Sequence, residues 1–124
     1  MTVLDTSALI RYFARDDKVK AAKTKLLLET GKELVIPDVV LPEIEYVLIR
    51  LPNAKRAELI KAFKFLTSLH NISLTKEARD AIITFEKTKL DMADCIIAAY
   101  SMKGSLASFD KNLLGIAGIK PFWK

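Results

Sequence analysis

Cysteine and histidine are almost missing from this chain: Cys95 and His70 are the only ones among 124 residues. One cysteine can form neither an intrachain disulfide nor a cysteine zinc site, and it fits a reducing compartment, so a cytoplasmic location is expected. One histidine supports no histidine-based metal motif. Glycine and proline number four each and are scattered. That excludes a glycine-rich phosphate loop, a G-x-S-x-G elbow, a flexible linker and a low-complexity segment. No apolar run reaches the ~18 residues of a membrane span, and no charged leader precedes an apolar stretch, so neither membrane insertion nor a signal peptide is expected.

What is present points to one ordinary domain with a real core. The hydrophobic fraction of 51% excludes intrinsic disorder. The formal charge is +5, with Lys18, Lys20, Lys23 and Lys25 in one segment and Lys55, Arg56, Lys61 and Lys64 in another. Such a balance favours a polyanionic partner, although each cluster taken alone reads first as a solvated helix face.

Short apolar runs alternate with helical patterns. Residues 2–5 read as a buried strand, with Ser7 able to cap a helix over 8–14. A basic helix over 17–30 ends at Gly31. Residues 34–36 form a second strand, followed by a helix over 39–50 that stops before Pro52. Asn53 can cap a helix over 54–68. Residues 70–74 suggest a third strand, and Thr75 caps a helix over 76–88. A helix over 91–103 ends at Gly104, residues 105–108 suggest a fourth strand, and 118–123 one more. This alternation predicts an α/β fold: a single domain with a short, mostly parallel central sheet flanked by helices. In such folds chemistry gathers outside the carboxyl ends of the strands. Asp5, Asp38 and Asp110 each follow a predicted strand.

Each acid has an ordinary role open to it. Asp5, Asp38 and Asp110 can cap the helices they precede. Asp91 and Asp94, in "LDMADCIIAAYSMKG", can favour a helix start through the dipole, yet they share one face and are the only charges between residues 91 and 102. In "PDVVLPEIEYVLIR", Pro42 suits the first turn. Glu43 falls among Val39, Val40, Tyr46 and Val47, and Glu45 among Leu41, Leu48 and Ile49. Both faces are apolar, so the helix is expected to be buried nearly all round, with at least one acid in poor solvent. Periodicity does not choose between the two glutamates. His70 reads as a strand-edge or core residue, and Cys95, Phe122 and Trp123 as packing residues.

Taken together, "VLDTS", "PEIEYVL", "DMADCIIAAYS" and "SFDKN" resemble the four acidic motifs of PIN-domain ribonucleases, and their order and spacing resemble the small VapC-type toxins of type II toxin–antitoxin systems. The resemblance covers nearly the whole chain. It implies that Asp5, Glu43, Asp94 and Asp110 are the catalytic, metal-holding acids, and it selects Glu43 over Glu45. Thr6 and Ser7 match a polar pair that orients the first aspartate. Asp91 matches an auxiliary acid, and Asn112 can substitute in the variable fourth motif, where Ser108 stands in place of a common threonine. The implied activity is Mg2+- or Mn2+-dependent endoribonuclease action; the implied partners are RNA, a cognate antitoxin protein and a second copy in a homodimer.

The chemistry agrees with that implication. Two unit charges about 4 Å apart repel by roughly 4 kcal/mol at an effective dielectric of 20, so clustered carboxylates need protons or cations. Magnesium and manganese take oxygen ligands, phosphate oxygens included. Arg11 and Arg15 follow the first motif and can reach a phosphate. Two rivals remain. A non-catalytic PIN-like module would bind RNA or protein without cutting. A phosphohydrolase with Asp5 as covalent nucleophile wants a second aspartate where this chain has Ser7.

Overall fold

The computed structural model describes residues 1–124, which pack as two compact units, residues 1–75 and 76–124.

The first unit is built on a parallel three-stranded sheet, β1 (Thr2–Val3), β2 (Leu34–Val35) and β3 (Ile72–Ser73), with β2 in the centre. Thr2 lies beside Leu34 and Val3 beside Val35; Leu34 and Val35 then face Ile72 and Ser73. Hydrogen bonding runs slightly past the strands. The Leu4 N–H donates to the Val35 carbonyl at 2.8 Å, and the Ile36 N–H to the Ser73 carbonyl at 3.2 Å. Leu4, Leu34, Ile36 and Ile72 are buried and hold the sheet to its helices. The strands are parallel, so their carboxyl ends carry Asp5, Asp38 and Thr75 on the same edge. There Thr75 Oγ1 donates to Asp38 Oδ1 at 2.7 Å, which joins the β2 and β3 exits.

Four helices complete this unit: α1 (Thr6–Ala14), α2 (Lys18–Thr30), α3 (Val40–Leu48) and α4 (Arg56–Ser68). Asp5 rather than Ser7 caps α1, and Lys55 rather than Asn53 precedes α4, Asn53 having a left-handed φ of 64°. Helix α2 ends where Gly31 meets the sheet. A Cβ at Gly31 would lie 2.7 Å from both the Leu27 carbonyl oxygen and Leu34 Cδ2. Asn71 seals the same corner, its amide donating to the Leu28 and Gly31 carbonyls at 3.0 and 2.7 Å. Those carbonyls would otherwise be orphans of the helix end.

Helix α3 departs from expectation. Val40, Leu41, Ile44 and Leu48 are buried, but Val39 and Tyr46 are 62% and 61% exposed, and Val47 and Ile49 also face solvent. One stripe alone meets the core, and Glu43 lies in the open.

The second unit pairs α5 (Lys76–Lys87) with α6 (Met92–Ser101), followed by the short α7 (Lys111–Leu114). Ala78, Ala81, Ile82 and Phe85 recur at helical spacing along α5, as do Met92, Cys95, Ala98 and Ser101 along α6, and all are buried. The small members let the helix axes approach. Leu106 and Leu113 join Ala98 in a core flanked by Leu114, Ile116 and Ile119. The predicted fourth strand and the tail strand reduce to a single parallel bridge, Leu106 with Pro121. Pro121 has no N–H to donate, so a longer ladder cannot run through it. His70 sits exposed in the turn before β3. No helix is long and apolar enough to cross a membrane.

Candidate active site

Of the four candidate acids, Asp5 and Glu43 lie in the first unit, each held by a neighbouring hydroxyl. Asp5 has extended backbone, and its Oδ1 accepts from Ser7 N at 2.6 Å, Ser7 Oγ at 2.7 Å and Ala8 N at 3.4 Å. The Ser7 hydroxyl, then the Ser7 N–H, hold this carboxyl below the ordinary aspartate range, against a small desolvation penalty and with help from the Ala8 N–H. Every one of these donors goes to Oδ1, which fixes the carboxylate and turns Oδ2 to other partners.

Glu43 stands in the first turn of α3, where the helix dipole favours an acid. Its Oε1 accepts from Thr6 Oγ1 at 2.6 Å. Thr6 thus serves Glu43, and of the two hydroxyls only that of Ser7 bonds Asp5. The sequence reading gave both hydroxyls to the aspartate. The two acids and their hydroxyls line an open depression of about 490 Å³ with Ile10, Arg11 and Val47. Arg11 gives it a cationic edge and bonds Asp16 Oδ2 at 2.9 Å. A separate cleft of about 440 Å³, lined by Tyr12, Phe13, Leu51 and Phe65, holds Glu58 as its only acid and belongs to different chemistry. Asp38 is tied to Thr75 and lies outside the depression.

The second unit holds Asp91, Asp94 and Asp110. Asp91 caps α6, its Oδ1 accepting from Asp94 N at 2.8 Å. Asp110 caps α7, its Oδ1 accepting from Asn112 N at 2.9 Å and Leu113 N at 3.2 Å, while its own N–H donates to Ser108 Oγ at 3.0 Å. Asp94 lies between exposed and buried in the first turn of α6. Burial, then the charges of Asp91 and Asp110, push its carboxyl above the ordinary range. The charges of Asp91 and Asp110 therefore both reach Asp94. Asn112 uses its backbone N–H as part of the Asp110 cap, and it lines a groove with Lys87, Lys89 and Lys111.

The capping role expected of these aspartates is real, and it does not exclude metal binding. Asp5, Asp91 and Asp110 each cap through Oδ1. A carboxylate has about four acceptor sites, so a cap leaves lone pairs for a cation and freezes the direction of the group.

A PIN domain model matches residues 2–119. The chain belongs to the PIN domain family. Proteins of this family are typically nucleases that use divalent metal ions. Comparison with curated proteins and with solved structures gave no match.

The donors present fit such an ion. They are hard carboxylate oxygens, and Asp94, raised by burial and then by the charges of Asp91 and Asp110, is a group whose charged form a cation would favour. Within either unit no three acidic, histidine or cysteine side chains form a ready cage. Magnesium needs none, since it keeps several waters and is commonly held by one or two carboxylates plus substrate phosphates.

Proposed function

We propose that this PIN domain is a single-domain Mg2+- or Mn2+-dependent endoribonuclease, the toxin of a toxin–antitoxin pair. The observation that carries the reading is the carboxyl of Asp94, raised first by burial and then by the charges of Asp91 and Asp110, within a chain of a nuclease family. By the likeness of the four motifs, Asp5, Glu43, Asp94 and Asp110 are the acids that serve metal binding and catalysis. When bound, the ion neutralises charge on the phosphoryl group and acidifies water. Ser7 aims Asp5, Thr6 aims Glu43, and the capped backbones of Asp91 and Asp110 fix their carboxylates. The net charge of +5 supports binding of the RNA backbone, and Arg11 supplies a cation beside the first acids.

The toxin assignment rests on the likeness of the four acidic motifs to VapC-type proteins. It implies an antitoxin and a homodimer. The exposed Val39, Tyr46, Val47 and Ile49 around Glu43 support a face that a partner covers.

The test is cleavage of RNA with Mg2+, Mn2+ or EDTA. The reading expects internal cuts with either ion, none in EDTA, and none from Asp5→Asn or Asp94→Asn under any condition. Equal cleavage in EDTA, or undiminished cleavage by the Asp94→Asn protein, would refute it.

A further inference from the structure

In the second unit, Phe109 is 86% and Trp123 50% exposed. Large aromatics left in water need a reason when they are also organised. These two rings stack, with centroids 4.7 Å apart and planes within 5° of parallel. Phe122 meets Trp123 edge-on at 5.6 Å and fixes the indole plane. The backbone beneath them is pinned. Leu106 N–H donates to the Lys120 carbonyl and Phe122 N–H to the Leu106 carbonyl, both at 2.8 Å, so the segments carrying Phe109 and Trp123 are bound to each other. Gly118, with φ of 91°, makes the turn that returns the tail to Leu106.

Charge says what the platform suits. Lys111, Lys120 and Lys124 stand in the same stretch, against Asp110 as its one acid. Lys111 also lines a groove of about 760 Å³ with Lys87, Lys89, Thr84 and Thr88. A flat π-face that begins two residues before Lys111 of a lysine-lined groove matches a polyanion with exposed planar bases. Duplex RNA hides its base faces, whereas a single strand offers both bases and phosphates. Phe109 directly precedes Asp110, so a base held there brings its strand to one of the proposed acids.

We propose that Phe109 and Trp123 form a stacking platform for a base of single-stranded RNA, with the Lys87, Lys89 and Lys111 groove taking its phosphates. The choice of RNA rests on the nuclease reading. Phe109 and Trp123 are positioning residues: they hold the strand and do no chemistry.

Trp123 is the only tryptophan, so its fluorescence reports on the platform directly. The full chain in EDTA is titrated with a short oligoadenylate, with a fully paired RNA and with heparin. The expected result is quenching by oligoadenylate alone. Phe109→Ala and Trp123→Ala should weaken oligoadenylate binding, read by anisotropy, roughly five- to a hundredfold. Phe109→Tyr and Trp123→Phe keep a π-face and should bind nearly as the parent. Heparin affinity should be the same in all five proteins. The platform is overturned if oligoadenylate leaves the fluorescence unchanged, if the alanine variants bind it as the parent does, or if they lose heparin equally. A parent dimer that Phe109→Ala turns into monomer, without quenching, also overturns it in favour of a self-association face. Quenching with no cleavage at either ion would refute the nuclease and keep the platform; cleavage with unchanged KM in the alanine variants would do the reverse.

Discussion

At the scale of single residues, the acids differ in what their surroundings do to them. Asp94 binds its proton more tightly in the folded chain than in the unfolded one. Its stability contribution is complete below the ordinary aspartate range and is lost as pH rises through the folded value. Asp94→Asn removes that loss. In EDTA the variant should melt higher than the parent at neutral pH, with the gap closing in acid; a pH series of melting temperatures checks it, and a variant that melts lower at neutral pH would contradict the cause given. Asp5 is the opposite case: its carboxyl is lowered by Ser7, so its contribution is present at neutral pH and is lost as pH falls through the folded value. Asparagine is as good a cap as aspartate, so Asp5→Asn should keep the far-ultraviolet spectrum while losing cleavage. Thr6→Ala should lower cleavage about ten- to a hundredfold, as loss of an orienting partner does, and Thr6→Ser should restore it. Equal rates for Thr6→Ala and the parent would remove Thr6 from the site.

At the scale of elements, the sharpest local constraint is the end of α2. Alanine at Gly31 would meet the Leu27 carbonyl and Leu34 at once. Overpacking of this kind costs about 1–3 kcal/mol, so Gly31→Ala should lower the urea midpoint with an unchanged slope. The helices and the places of the first three strands were legible because their apolar residues recur at the right periods and their ends carry Asp, Gly and Pro signals, but β1 is not the buried strand expected: Thr2 and Val3 are exposed, and Leu4 just past it meets the core. The surface of α3 was not. Val39, Tyr46, Val47 and Ile49 look like core in composition, but composition does not say whether the fold supplies a cover. The fourth strand failed for a related reason: "SLAS" has strand-like residues, but its one bridge partner is Pro121, which cannot extend a ladder.

At the scale of the whole molecule, the family was legible because short acidic motifs stand in order along nearly the whole chain. The bonds that aim them were partly hidden. Ser7 lies two residues from Asp5, but Thr6 and Glu43 are 37 apart, and no local pattern joins them. The stacking of Phe109 on Trp123 depends on the tail returning to Leu106, which periodicity does not reveal. The basic balance predicts that RNA affinity falls steeply with salt, log K against log salt being linear with a negative slope; binding independent of salt would leave the lysines without a role.

The central claim is that the acids hold a divalent ion. The most direct measurement is the melting temperature of the parent and of Asp94→Asn in EDTA and in rising Mn2+ or Mg2+. An ion at a hundredfold excess over its dissociation constant stabilises a fold by about 2.7 kcal/mol. The account predicts that the parent melts progressively higher as either ion is added and that Asp94→Asn does not respond. An equal rise in both proteins, or none in the parent at saturating ion, would contradict it.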